Sequence, residues 1–262
     1  MHVSNTLPEW RERRRALAGC TIGFVPTMGA LHRGHASLVE RCRCDNDVVV
    51  VSVFINPTQF NDAGDLARYP RTTESDLALL QELGTDEVLV PSVTDLYPAG
   101  YRFKVTADSL TNTMEGAFRP GFFEGVMTVV MKLLNLVRAD RAYFGEKDFQ
   151  QLRIVREMTA EFFIATEIVA CPTVREESGL ALSSRNTRLS PASREKAALL
   201  FRALAATFTA DEARSLLEDR GFAVDYIEEH WGRRLAAVFL DGVRLIDNVP
   251  LPTREDHRAS LS

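Results

Sequence analysis

At 262 residues, with 45% hydrophobic and 26% charged positions, the chain carries enough apolar material for one large or two modest globular domains. Its 36 acidic residues against 31 basic ones leave a formal charge of -5, so no global positive excess is available for a phosphate backbone and a dedicated nucleic-acid role is not expected. The four cysteines, Cys20, Cys42, Cys44 and Cys171, show neither the density of a disulfide scaffold nor a Cys-x-x-Cys spacing, and read as reduced, small apolar residues.

Taken in chain order, Arg11, Arg13, Arg14 and Arg15 are interrupted by Glu9 and Glu12, and this segment reads as an amphipathic first helix with a solvated basic face. No apolar segment follows a basic start, so no secretory leader is expected. Thr21 to Val25 is a short apolar run, followed by a Gly-containing turn and a helical pattern from about Gly34 to Cys44. Asp47 to Ile55 is almost continuously β-branched, as in a parallel strand covered on both faces. Helical patterns near Thr73 to Leu83, Gly125 to Val137 and Asp148 to Phe162 alternate with strand candidates at Glu87 to Val90, Arg141 to Phe144 and Thr166 to Ala170. This is the rhythm of an α/β fold with a doubly wound parallel sheet, whose ligands bind beyond the carboxyl ends of the strands. The apolar stretch Phe122 to Val137 is broken by Glu124, Lys132 and Asn135, falls short of the ~20 residues a membrane span needs, and is expected to be a buried helix.

Around Arg175 to Ser190 the sequence turns polar, and Ser190-Pro191 signals a helix start. A smaller α+β domain is expected from 176 to 262, after a Rossmann-like domain over 1 to 175. Its helices are predicted over Pro191 to Phe208 and Ala210 to Asp219, and its strands over Ala223 to Glu228, Arg234 to Leu240 and Val243 to Ile246. Asp241-Gly242 joins the last two as a hairpin signal.

The first strand–loop–helix unit reads PTMGALHRGHASL, from Pro26 to Leu38. Gly29 and Gly34 have the spacing of a P-loop, but His35 and Ala36 stand where that loop has Lys and a hydroxyl residue, and no G-x-G-x-x-G is present. What remains is His32-x-x-His35 at a strand-to-helix junction, two imidazoles beside backbone N–H groups that favour anions. The pair can stabilise phosphoryl charge, or one ring can cap the helix while the other packs. A zinc pair is disfavoured, since H-E-x-x-H is absent and no third ligand is evident. Lys147, in a loop beyond a strand, is a cation able to follow a phosphoryl group through its transition state; its structural alternative is an ion pair with Glu146 or Asp148. Ser183, Ser184 and Arg185 offer two hydroxyls and a guanidinium suited to phosphate oxygens, or form a Ser-rich turn.

His-x-x-His after a Gly-containing turn resembles the signature of the nucleotidylyltransferase superfamily. The ordered blocks PTMGALHRGHASL, VVVSVFINPTQF, DLARYPRT, YFGEKDFQQL and PTVREESGLALSSRN, with RLIDN near the C-terminus, resemble the pantothenate synthetase family. The resemblance implies that (R)-pantoate and ATP form a pantoyl adenylate, which β-alanine then converts to pantothenate. It also implies a Rossmann-like domain with a small C-terminal lid, magnesium carried with ATP, a homodimer and a cytoplasmic location, with neither nucleic acid nor membrane as partner. By the same resemblance Met28, Gly29, Ala30, Leu31, His32, Arg33, Gly34 and His35 line the ATP site, with Gly145, Glu146, Lys147, Asp148, Val174, Leu182, Ser183, Ser184 and Arg185. His35, His32, Lys147 and Arg185 are the catalytic candidates, and His35 is better described as a donor to developing phosphate charge than as an acid. Gln59 and Gln151 match pantoate-binding glutamines, whose neutral amides bond the acid without opposing attack by its carboxylate. Asp76 and Glu115 are candidates for organising the metal–phosphate region.

Three departures bear on these expectations. Thr58 stands where the family commonly has Met, Phe122 where it commonly has His, and the connection within VDYIEEHWGRRLAAVFLDG is shortened. The nearest alternative function is another nucleotidylyltransferase that leaves AMP on its product. A nucleotide-binding protein without catalysis is the alternative of a different class, and the retention of His32, His35, Lys147, Ser183 and Arg185 speaks against it.

Overall fold

The computed structural model describes residues 1–251, the side chain of Ala63 excepted. Compactness divides the chain into Met1–Val174 and Arg175–Ser262. Arg175, the last residue of the expected first domain, opens the second unit, where its guanidinium donates to both Asp247 oxygens. Residues 252–262 of the expected second domain lie outside the described residues.

The first unit is a six-stranded, wholly parallel sheet of order β1-β4-β3-β2-β5-β6. Its strands are β1 (His2–Ser4), β2 (Ile22–Thr27), β3 (Val48–Val53), β4 (Glu87–Leu89), β5 (Arg141–Gly145) and β6 (Glu167–Cys171). Its helices are α1 (Leu7–Ala16), α2 (Arg33–Asp45), α3 (Ala63–Arg68), α4 (Thr73–Glu82), α5 (Val93–Leu96), α6 (Glu115–Phe118), α7 (Phe122–Val137) and α8 (Phe149–Glu161). Every residue of β3 is buried, as its unbroken β-branched run requires of a strand covered on both faces. Gly23 in β2 lets α2 approach closely, since a Cβ there would lie 2.3 Å from Cys42 Sγ. Helix α7 is buried along most of its length, and among the described residues no helix is long and apolar enough to cross a membrane.

The basic face of α1 is not wholly solvated. Trp10 is fully buried and its indole N–H donates to Leu136 O at 2.8 Å, which seats the helix. Arg13 pairs with the buried Glu87, and Arg14 donates to Val137 O at 2.7 Å and to Arg138 O at 3.0 Å at the end of α7. These two arginines satisfy a buried carboxylate and orphan helix carbonyls, leaving Arg11 and Arg15 exposed.

The second unit holds α9 (Pro191–Ala197), α10 (Leu199–Ala206) and α11 (Ala210–Asp219), with an antiparallel sheet of β7 (Ala223–His230), β8 (Arg233–Leu240) and β9 (Val243–Pro250). The single helix expected over Pro191 to Phe208 is thus two, parted at Ala198, whose N–H bonds Glu195 O three residues back. Both hairpins turn on residue pairs with positive φ, Asp241-Gly242 (48° and 75°) and Trp231-Gly232 (54° and 70°), the conformation that matches strand twist. Arg234, 1% exposed, donates to Leu204 O, Thr207 O and Phe208 O and pairs with Glu229, closing the end of α10.

Candidate active site

Strand order reverses between β2 and β5: from β2 the chain proceeds outward to β3 and β4, then returns to place β5 on the other side. The loops leaving β2 and β5 diverge here, opening the crevice where α/β sheets bind ligands. Both loops run into helix starts, so backbone N–H groups and dipoles favour an anion between them.

The β2 loop is held in an unusual conformation. Gly29 and Ala30 have φ of 78° and 51°, and the buried Asp76 carboxylate accepts the N–H groups of Ala30 (2.9 Å) and Leu31 (2.8 Å). His32 then caps α2, its Nδ1 accepting the Gly34 N–H at 3.1 Å, while His35 Nδ1 accepts the His32 N–H at 3.3 Å. The rings lie with centroids 4.1 Å apart. The capping and donor readings of this pair are therefore not alternatives. A neutral imidazole whose Nδ1 accepts a backbone N–H carries its proton on Nε2, so the same contacts that cap the helix make both Nε2–H groups donors. Among the described residues neither Nε2 is hydrogen-bonded.

Electrostatics keeps both rings neutral. Burial is the largest cause pushing His35 down to about 3, followed by His32 and Lys147. His32 is likewise lowered, by burial and then by Lys147, with Asp148 opposing. A ring that stays neutral at pH 7 cannot act as an imidazolium acid, whereas it can donate its Nε2–H to phosphoryl oxygen.

Lys147 stands in the short turn Glu146–Asp148 between β5 and α8. Its ammonium is 4.0 Å from Asp148 Oδ1, at the limit of an ion pair, and its effect on both imidazoles places its charge in their neighbourhood.

Beyond β3, Asn56 organises the expected pantoate-binding amide. Thr58 N–H donates to Asn56 Oδ1 (3.3 Å) and Asn56 Nδ2 donates to Gly125 O (3.1 Å), so two backbone groups fix which way Asn56 faces. Its Nδ2 then donates to Gln59 Oε1 at 3.1 Å, leaving Gln59 Nε2 to point at Met28 Sδ, 3.1 Å away. Gln59 accordingly presents N–H donors on the Met28 side. Thr58, the departure from the family pattern, joins this network through its hydroxyl, 2.9 Å from Asn56 Oδ1 and 3.2 Å from Tyr97 OH. Phe122, the other departure, is buried beneath the Arg119 guanidinium at 3.5 Å.

Of the glutamine pair on α8, Gln150 is the structural one. It accepts from Glu115 N–H at 3.0 Å and donates to Leu110 O and Thr113 O at 2.9 Å each, while the half-buried Gln151 makes no side-chain hydrogen bond among the described residues. Two residues escaped the sequence reading. Asn56, in the Asn56-Pro57 pair that follows the β-branched run, could have been weighed with Gln59. Arg119 binds Glu115 (3.4 Å), covers Phe122 and donates to Gln59 O (3.2 Å), and nothing in its local sequence marks it.

The two carboxylates expected near the metal are turned to protein groups. Asp76 clamps the β2 loop and Glu115 pairs with Arg119. Among the described residues no cluster of three or more His, Cys, Asp or Glu could hold a metal ion.

In the second unit, Ser183 Oγ accepts the Arg185 N–H at 3.3 Å and opens the short turn Ser184–Arg188, leaving its own hydroxyl proton to donate. The half-buried Leu182, Ser184 and Arg185 lie in the same segment, which follows the Arg175–Ala181 bridge. Val174 closes the first unit.

Fold and site together define a class: a Rossmann-like α/β protein whose strand-end loops carry neutral N–H donors and a cation, chemistry suited to an anionic ligand. Residues 2–250 match the model of the pantoate-beta-alanine ligase family. The chain is 51% identical to the pantothenate synthetase of Bdellovibrio bacteriovorus, over 93% of this chain and 96% of that one. It is 48% identical to that of Coxiella burnetii, over 95% and 96%. Its fold superposes on the crystal structure of Thermus thermophilus pantothenate synthetase with a TM-score of 0.90, at 44% identity over 96% of this chain and all of that one. A Francisella tularensis pantoate-beta-alanine ligase, crystallised with a β,γ ATP ligand and β-alanine, gives 0.91 at 38% identity, over 95% and 97%. The chain belongs to the pantoate–β-alanine ligase family.

Proposed function

We propose that the chain condenses (R)-pantoate with β-alanine through a pantoyl adenylate, using ATP that carries its own magnesium. A pantoate carboxylate oxygen attacks the α-phosphorus, forming the O–P bond as the bond to pyrophosphate breaks. The β-alanine amine then attacks the acyl carbon; the C–N bond forms, the acyl C–O bond breaks, AMP departs and the nitrogen loses a proton.

The observation that carries this reading is the pair of neutral imidazoles with Nε2–H donors at the strand switch point, beside Lys147. Attack at phosphorus gathers negative charge on phosphoryl oxygens, and preorganised neutral donors with one cation suit that charge without requiring proton transfer. Gln59 and Gln151 are proposed to bind pantoate, and the orientation that Asn56 imposes gives Gln59 N–H donors for hydroxyl or carboxylate oxygens. Arg33, Gly34, Gly145, Glu146 and Asp148 are proposed to lie along the nucleotide. Val174, Leu182, Ser183, Ser184 and Arg185 are proposed as further ATP contacts, supported by the donor chemistry of two hydroxyls and a guanidinium. Magnesium arriving on the phosphates agrees with carboxylates already committed to amides and arginine. We propose a homodimer as well; Phe103, 91% exposed in the stretch 101–107, offers apolar surface for one. A cytoplasmic location is proposed from the resemblance alone.

A product assay separates this function from a nucleotidylyltransferase that retains AMP on its product. With pantoate, ATP and β-alanine together, AMP and pantothenate are expected in equal amounts, and without β-alanine AMP release is expected to stop. A stable adenylylated product that accumulates in the presence of β-alanine would decide for the alternative.

A further inference from the structure

Asp76, expected near a metal, is engaged elsewhere. It lies in the first turn of α4, 3% exposed, and its Oδ2 accepts both the Ala30 N–H (2.9 Å) and the Thr72 hydroxyl (3.1 Å), while Oδ1 accepts the Leu31 N–H (2.8 Å). The loop it grips holds Gly29 and Ala30 at positive φ, 78° and 51°. A non-glycine residue keeps such a conformation only where its surroundings over-determine it. Gly29 and the carboxylate also fit each other, since a Cβ on Gly29 would lie 2.9 Å from Asp76 Oδ2.

Successive amide N–H groups in such a turn form a concavity that, in phosphate-binding loops, faces the ligand. In this chain the concavity is filled by a protein carboxylate, and the donors left at the start of α2 include the Nε2–H groups of His32 and His35. We propose that Asp76 is a positioning residue for nucleotide activation: it occupies the amide concavity of the β2 loop and thereby fixes where His32 begins α2 and where both imidazoles point. The proposal rests on the histidines acting in adenylation, as proposed above. Asp76 is turned to the loop, so its effect passes through the loop's conformation, which sets the backbone proposed to line ATP as well as the histidine geometry.

The experiment combines single-turnover adenylation, ATP and pantoate titrations, and NMR of the histidine ring nitrogens in Asp76→Asn. The amide keeps the size of the carboxylate but turns an NH2 group against a backbone N–H. Adenylate formation is expected to fall on the order of 10²-fold, the scale of a small misplacement of reacting groups. ATP affinity is expected to fall while pantoate affinity is kept, and the Nε2–H tautomer of His35, defined in the wild type, is expected to become mixed. Should this variant not fold, Thr72→Val removes one bond to the carboxylate and is expected to show the same split at smaller size. An unchanged adenylation rate and unchanged tautomers in a folded variant would overturn the proposal, as would equal losses for ATP and pantoate. If the wild type itself forms no adenylate, the functional reading fails instead, and the tautomers with the ATP titration still decide whether Asp76 governs the loop.

Discussion

Replacing Lys147 by alanine is expected to suppress the first half-reaction on the order of 10²–10³-fold while sparing much of the second. Attack on the α-phosphate spreads negative charge over that phosphoryl group and the departing pyrophosphate, and an ammonium beside it lowers the barrier directly. Attack by the amine develops charge at an acyl carbon that already bears a good leaving group, so the cation matters less. Alanine keeps the backbone of the short turn Glu146–Asp148, so a folded variant isolates the loss of the ammonium. Adenylate formation from pantoate and ATP, and pantothenate formation from purified pantoyl adenylate and β-alanine, are to be timed on one folded preparation. Equal losses in both would reject this division of labour.

His35→Asn is expected to slow adenylation by a similar factor while leaving ATP affinity nearly intact, because a donor placed for transition-state charge contributes little to the ground state. Asparagine is chosen because its Oδ1 takes the place of Nδ1 and keeps the bond from the His32 N–H, so only the Nε2–H donor is lost. The same substitution has a signature in pH. The folded pKa of His35 is lowered to about 3 from an ordinary 6.5, so the unfolded chain takes up the proton first as pH falls. Above pH 6.5 the ring adds no pH dependence; from there down toward pH 3 the wild type loses stability, with a slope of up to about 1.4 kcal/mol per pH unit for one proton. Urea midpoints at neutral pH and near the middle of that window are therefore expected to converge in His35→Asn relative to the wild type. A wild-type rate profile inflecting near pH 6.5 on account of His35 would contradict the neutral donor.

How far the sequence carried depends on the length over which each signal accumulates. The unbroken β-branched run of β3, the apolar α7 and the Asp241-Gly242 turn were legible because period and turn chemistry act locally. β1 was not: three residues cannot establish alternation, and the strand forms by pairing with the distant β4. The buried helix expected over the apolar stretch Phe122 to Val137 is α7 with those bounds, although Gly121, at φ 79°, supplies no capping side chain to mark its start. α5 carried a capping box at Ser92 and Asp95 that could have been read. In the candidate site, His32, His35, Gln59 and Lys147 were singled out through motif blocks, but their tautomers and orientations were not legible. Those depend on contacts across long stretches of chain: Asp76 onto Ala30 and Leu31, Asn56 onto Gly125, and Lys147 near both imidazoles. The same distance explains Arg13 and Arg14, whose partners lie on β4 and at the end of α7.

The central claim is that the carboxylate of pantoate, and no water or protein group, attacks the α-phosphorus of ATP. Pantoate labelled with heavy oxygen in its carboxylate tests this most directly, with β-alanine present and the products resolved by mass spectrometry. Because the acyl C–O bond breaks in the second step, each turnover is expected to leave a labelled oxygen in the phosphate of AMP and the other in the amide carbonyl of pantothenate. AMP carrying no label, or label recovered in inorganic phosphate beside ADP, would contradict the adenylate and with it the assignment of the imidazole donors to the α-phosphoryl group.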